Sequence, residues 1–183
     1  MSRGVTIAGF RTFRAAPSDA EDMALAHRDS IRSIGPGFYP ANVVADWEEG
    51  IAGNVYLRAM KGGEVFFIAT GEIDGERLVL GFASDYRIEG SKHGTSVYVR
   101  GIAARRGIGS ALLRLAEAHA AANGAGSVEV EASLAGVEFY RANGFTEVRR
   151  GETRLMSGRP IACVFMRKNV GTGVQMSRAT LRA

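Results

Sequence analysis

The sequence predicts a single α/β (α+β) domain: a mixed, mostly antiparallel central sheet flanked by helices. Three observations predict it. Short apolar runs bounded by Gly, Asp and Pro alternate with stretches of helical periodicity. A strand at 97–99 runs through a Gly-x-Gly segment straight into the clearest amphipathic helix of the chain. The chain has 183 residues, 46% hydrophobic and 23% charged, enough for one packed core and too apolar for disorder. The expected division is one domain over 1–168 and a loose polar tail over 169–183.

Residues near 5–15 read as a first strand, ended by Ala16-Pro17. Ser18 and Glu21 form a capping-box pattern, and Ala20, Met23, Ala24, His27, Ile31 and Ile34 recur at helical spacing until Gly35-Pro36-Gly37. On that stripe His27 reads as a satisfied helix histidine. A second short helix is expected from Pro40, with Val43, Val44 and Trp47 on one side. Val65 to Thr70 and Leu78 to Ile88 are strands joined by the hairpin turn Asp74-Gly75. A third antiparallel strand is expected at 93–100. Ile108, Leu112, Leu115, Ala116 and Ala120 then make a helical stripe ending at Asn123-Gly124. Val128, Val130 and Ala132 alternate with Glu129 and Glu131 as a strand, and a short helix spans 134–142, with Ser133 as its N-cap and Asn143-Gly144 as its stop. Two strands, 145–155 and 161–167, flank a turn at 157–160. Cys163 alternates with Ile161 and Phe165, which marks it as a packing residue.

Composition narrows the function classes. The net charge of +4 and a pI near 9.6 suit a polyanionic ligand, but no dense Lys/Arg block or basic–aromatic patch points to nucleic acid. A lone cysteine forms no internal disulfide, and three histidines without ligand spacing argue against a metal. No apolar stretch approaches a membrane-spanning length, and 5–10 is too short for a signal peptide. The expectation is a cytoplasmic protein without membrane contact.

The chemistry concentrates in Arg105-Arg106-Gly107-Ile108-Gly109-Ser110. Two glycines let the backbone approach a ligand, a helix start turns unpaired N–H groups outward, and two arginines sit alongside, which together suit a phosphate. Position 112 is Leu, so the dinucleotide Gly-x-Gly-x-x-Gly turn is excluded, and the Gly-Lys-Ser/Thr ending of a nucleoside triphosphate loop is missing.

With the strand Val97-Tyr98-Val99 before it, and Glu131-Ala132-Ser133 and Phe139-Tyr140…Gly144-Phe145 after it, this segment resembles the acetyl-coenzyme A signature of the Gcn5-related N-acetyltransferases, the GNAT superfamily. The resemblance runs from the first strand to about residue 167 and is strongest over 97–113 and 129–148. It implies the acyl-CoA N-acyltransferase fold, with parallel strands at 93–100 and 127–132 that splay apart. It also implies acetyl-CoA as acyl donor, with the pyrophosphate on the amides of Arg105, Arg106, Gly107, Ile108, Gly109 and Ser110 and the pantetheine arm paired to Val97, Tyr98 and Val99. Two positions depart from the family pattern: Ala104 stands where Gln or Arg is usual, and Ala135 where Asn is frequent.

Under that resemblance Tyr140 lies beside the coenzyme sulfur. A phenol of ordinary pKa ~10 holds a proton that it can give to a departing thiolate. The acceptor amine arrives as ammonium and needs a base, for which Glu131 is the candidate and Asp85 and His93 are alternatives. A backbone N–H near Tyr98 or Val99 would meet the oxyanion. Nothing in the sequence activates Ser133 as a nucleophile, so direct transfer to a primary amine is expected. Two other classes are carried: a non-catalytic acyl-CoA-binding or regulatory domain, and a metal-dependent enzyme of the glyoxalase type. The acceptor is expected between residues 30–58 and 149–161, where Trp47 and Tyr39-Pro40 are candidate walls, and a homodimer is possible.

Overall fold

The computed structural model describes residues 9–171. Of the expected tail over 169–183, Asn169 ends the last strand and the Val170 and Gly171 N–H groups donate to Gly126 O at 3.0 and 3.1 Å, while 172–183, with the first part of the expected first strand up to residue 8, lie outside the described residues. Eight strands form one sheet: β1 (Arg11–Arg14), β2 (Val65–Ile73), β3 (Glu76–Glu89), β4 (Lys92–Gly94), β5 (Val97–Val99), β6 (Ser127–Ser133), β7 (Thr146–Arg154) and β8 (Pro160–Asn169). Their order is β1-β2-β3-β4-β6-β8-β7, with β5 also on β3. β4 and β6 are the parallel pair and the other pairings are antiparallel.

Both faces of β2 are buried, which is why its sequence is a continuous apolar run. Phe66 and Ile68 face the helices α1 (Ala20–Ile34), α2 (Ala41–Glu48) and α3 (Gly53–Lys61), packing with Met23, Ile31, Tyr56 and Phe82. Phe67 and Ala69 face α4 (Ile108–Ala122) with Leu80, Ala83, Leu112 and Ala116. The remaining helix, α5 (Val137–Ala142), covers β6 and β8 through Tyr140 and Val137, with Phe145 just beyond its end in the same cluster. Polar ties fix α4 to the sheet. The buried Asp85 carboxylate accepts from His93 Nδ1 at 2.7 Å and His119 Nδ1 at 2.6 Å, and Glu117 accepts from Lys168 Nζ at 2.7 and 2.8 Å.

Several expected boundaries change. The α1 entrance is a 3-10 turn, Pro17–Asp19, capped by Asp19, whose carboxylate accepts from Ala16 N–H at 2.7 Å; Ser18 plays no capping part. A third helix, α3, follows the two expected ones. Its opening Gly53-Asn54 has little helical propensity, and its cap arrives from α1: Glu21 Oε2 accepts from Gly53 N–H at 2.9 Å. The single strand expected at 93–100 is two, because the chain changes neighbours at Thr95-Ser96. The short helix begins at Val137, after a turn at 134–136. The turn at Asp74-Gly75 (φ 52° and 83°) and the Asn-Gly stops of α4 and α5 stand as expected.

Candidate active site

The break at Thr95-Ser96 opens the sheet. Upstream, β4 pairs with β6 as far as Gly94↔Glu129, and Thr95 N–H reaches Glu129 O at 3.1 Å. Beyond that point β5 keeps only β3, β6 keeps only β8, and a gap separates Val97–Val99 from Val130–Ser133. On β5 the bonds to β3 come from the even-numbered residues, as Ser84 N–H to Ser96 O at 3.0 Å and Arg100 N–H to Leu80 O at 2.8 Å show. Antiparallel alternation therefore turns the main-chain groups of Val97 and Val99 into the gap.

One end of the gap is the start of α4. Arg105 (φ 59°) and Gly107 (φ 78°) are left-handed and Arg106 between them is not, an alternation of hand that turns successive amides to one side. The first α-helical bond is Ala111 N–H to Gly107 O, and no amide from Arg105 to Ser110 donates to any group among the described residues. Six consecutive N–H groups thus stand unpaired. A Cβ on Gly109 would lie 3.0 Å from Phe139 Cε2 and 3.5 Å from Val99 Cγ2, so this glycine lets α4 close on β5 and α5.

A cavity of about 730 Å³ occupies the gap. Among the residues expected at the site, Val97, Tyr98, Val99, Arg105, Gly107, Gly109, Ser110, Glu131 and Tyr140 line it. Arg106 is exposed and away from it, and the Ile108 side chain is 1% exposed in the core beneath α4, so at these positions only main-chain groups are available. Ala104 and Ala135 line the cavity too. Asp85 and His93, weighed as bases, are absorbed by the bridge to α4 on the far face of the sheet. Cys163 is buried as expected but borders the cavity, with its thiol pushed up by burial.

Tyr140 is 5% exposed, and burial pushes its phenol far above the ordinary value, with nearby Tyr98 adding to the shift and the Val97 amide partly offsetting it. Glu131 is solvent-exposed at the cavity mouth. Sequence reasoning missed Tyr86, whose phenol is pushed up to about 12 by burial and by the carboxylates of Glu64 and Glu131. Its ring lies across the strand pair over Gly94, where any Cβ would collide with it at 2.1 Å.

His27 is not a fully satisfied helix histidine. Nδ1 is hydrogen-bonded to the Tyr56 hydroxyl at 2.7 Å, but the buried Nε2 has no partner. The ring sits 3.6 Å from the Tyr98 ring centroid and borders the cavity, and burial pushes its pKa down to about 3, so the imidazole is neutral. The chemical signal was available in part: a histidine on an apolar helical stripe must be buried, though nothing local shows that only one nitrogen finds a partner.

Among the described residues no group of His, Cys, Asp and Glu is arranged to hold a metal, and no helix is long and apolar enough to cross a membrane. An opened sheet beside a run of free amides at a helix start is the arrangement that the sequence resemblance implies. Residues 62–147 match the acetyltransferase (GNAT) domain family. Solved structures share the fold. A GCN5-related N-acetyltransferase of Rhodopseudomonas palustris is 23% identical, with a TM-score of 0.73 over 90% of this chain and 98% of that one. The PaiA N-acetyltransferase of Thermoplasma acidophilum, in complex with coenzyme A, is 19% identical with a TM-score of 0.67 over 88% and 99%. A phosphinothricin acetyltransferase of Sinorhizobium meliloti, in complex with acetyl-CoA, is 21% identical with a TM-score of 0.66 over 94% and 95%. No curated protein matches the chain in sequence.

Proposed function

We propose that the chain transfers an acetyl group from acetyl-CoA directly to a primary amine. The observation that carries this is the run of six unpaired amides, Arg105 to Ser110, at the mouth of a gap whose strand edge is also unpaired. Converging N–H groups at a helix start suit a pyrophosphate, and the two departures at Ala104 and Ala135 leave these donors untouched. The pantetheine amides then have a strand edge to pair with, the inward-facing main chain of Val97 and Val99.

The acetyl carbonyl would lie in the gap beyond that edge. The amine nitrogen forms the new C–N bond, the carbonyl oxygen takes up negative charge opposite the Val99 N–H, and collapse breaks the C–S bond. Tyr140 faces the departing sulfur. Its raised pKa means that the phenol keeps its proton until charge develops on sulfur, and a thiolate leaving in the same apolar gap is itself made more basic by burial. The ammonium proton must leave before attack, and Glu131, which lines the cavity, draws the cation in and accepts that proton through water; the second proton, lost by the nitrogen after attack, returns to the tyrosinate left when Tyr140 protonates the thiolate. Binding without transfer is the alternative for a domain that keeps the loop and lacks chemistry. Calorimetry with coenzyme A, together with thiol release from acetyl-CoA in the presence of amines, tests both. Binding with amine-dependent release is expected; absence of coenzyme binding refutes the proposal, and binding without release for any amine leaves the non-catalytic reading.

A further inference from the structure

The end of the cavity away from the α4 start has a different character. That end is bounded by α1, α2 and the β7–β8 hairpin. Resting on the transferase reading, we propose that the acceptor is a small monoamine with an uncharged, apolar body of aromatic size, held between Tyr39, Trp47, Ile51 and Tyr98.

Charge supports this first. Four charged side chains line the whole cavity, and two of them, Arg105 and Glu138, belong to the α4 loop and α5 end. The other two, Glu131 and Arg154, are solvent-exposed, and the Arg154 guanidinium already donates to Gly158 O at 2.7 Å. The interior of the acceptor end therefore offers no buried carboxylate to a second ammonium and no buried cation to a carboxylate. An unpaired charge brought into such surroundings is strongly disfavoured, so polyamines, aminoglycosides and free amino acids fit badly. Even the imidazole facing this space is neutral.

The walls support an aromatic-sized body. Tyr39 and Trp47 meet edge to face at 5.6 Å, and Tyr98 lines the same cavity, aromatic walls that favour offset or edge contacts with a further ring. Closure supports a small molecule. The Tyr39 hydroxyl donates to Ala162 O at 2.7 Å and accepts from Leu134 N–H at 2.7 Å, tying the α1–α2 loop to β8 and to the turn after β6. Asp46 of α2 accepts from Ser157 Oγ at 2.7 Å and pairs with Arg159 Nε at 3.0 Å, so α2 is latched to the hairpin turn. A volume of about 730 Å³ shared with an acyl-pantetheine arm leaves room for one small body and not for a protein terminus.

The test measures thiol release from acetyl-CoA by the full chain with matched acceptors. 2-Phenylethylamine and tryptamine should exceed spermidine, kanamycin, phenylalanine and trialanine by at least tenfold in kcat/KM. Phenylalanine isolates the penalty of the carboxylate, and spermidine that of added charge. Trp47→Ala should raise the KM for 2-phenylethylamine severalfold and leave the KM for acetyl-CoA unchanged. A preference for the polycations, the amino acid or the peptide overturns the proposal. If no amine reacts, ligand-observed NMR of 2-phenylethylamine with coenzyme-saturated protein decides. Contact that is lost in Trp47→Ala keeps the pocket assignment while refuting the transferase reading, and no contact overturns the assignment itself.

Discussion

Replacing His27 by Gln should flatten the acid limb of the stability profile. In the folded chain the imidazole is pushed down to about 3 by burial, while in the unfolded chain it titrates near its ordinary value of ~6.5. Between those values the unfolded state binds a proton that the folded state refuses, so stability falls as pH drops below the unfolded value. For this one group the loss relative to pH 8 is about 0.8 kcal/mol at pH 6 and about 2 kcal/mol at pH 5, from about 1.36 kcal/mol per unit of displacement. Gln does not titrate, and its amide can still bond the Tyr56 hydroxyl that His27 Nδ1 meets at 2.7 Å. The assay is urea unfolding of both proteins at pH 5, 6, 7 and 8. His93, His119 and the carboxylates are common to both chains, so the difference between the two curves isolates His27. Parallel curves, with a constant offset across that range, would refute the reasoning, because they would mean that His27 charges as readily folded as unfolded.

Two further outcomes test the site. Tyr140→Phe keeps the ring packed against Phe139 and Phe145 and removes only the hydroxyl, so steady-state kinetics should show kcat lowered about 10²-fold or more, with KM for acetyl-CoA within a few-fold. Undiminished turnover would dismiss Tyr140 as the acid. Gly109→Ala places a Cβ 3.0 Å from the Phe139 ring, and the shift needed to relieve it moves the amides at the α4 start. Calorimetry should then give about tenfold weaker coenzyme A binding, about 1.4 kcal/mol, at nearly unchanged secondary structure. Unaltered affinity would mean that the amide run tolerates displacement and is not the diphosphate contact.

Much of the fold was legible because its signals are local. Asp74-Gly75 allows one hairpin geometry, Asn123-Gly124 and Asn143-Gly144 stop two helices by the same left-handed step, and the apolar stripe of α4 runs at one period throughout. The site loop was legible for the same reason, since Gly107 at a strand–helix junction is both the turn and the helix start. The third helix was not, because its first turn is satisfied by Glu21 from another helix, 32 residues earlier in the chain. The division of the strand at 93–100 was equally hidden: Thr95 and Ser96 look like ordinary strand residues, and only the departure of β6 toward β8 makes them a boundary.

The sequence by itself determined the order of the elements, the free amides of the Arg105–Ser110 turn and the aromatic–apolar stripes that had to be buried. These follow from backbone geometry and hydrophobic periodicity within a few residues. Only the tertiary structure decided where the sheet opens, that His27 and His93 are each left with an orphan nitrogen, and how Tyr39 and Asp46 close the far end of the cavity. Each of those depends on groups that meet across long stretches of chain, and the free energy of such a meeting belongs to the packed whole rather than to any segment read alone.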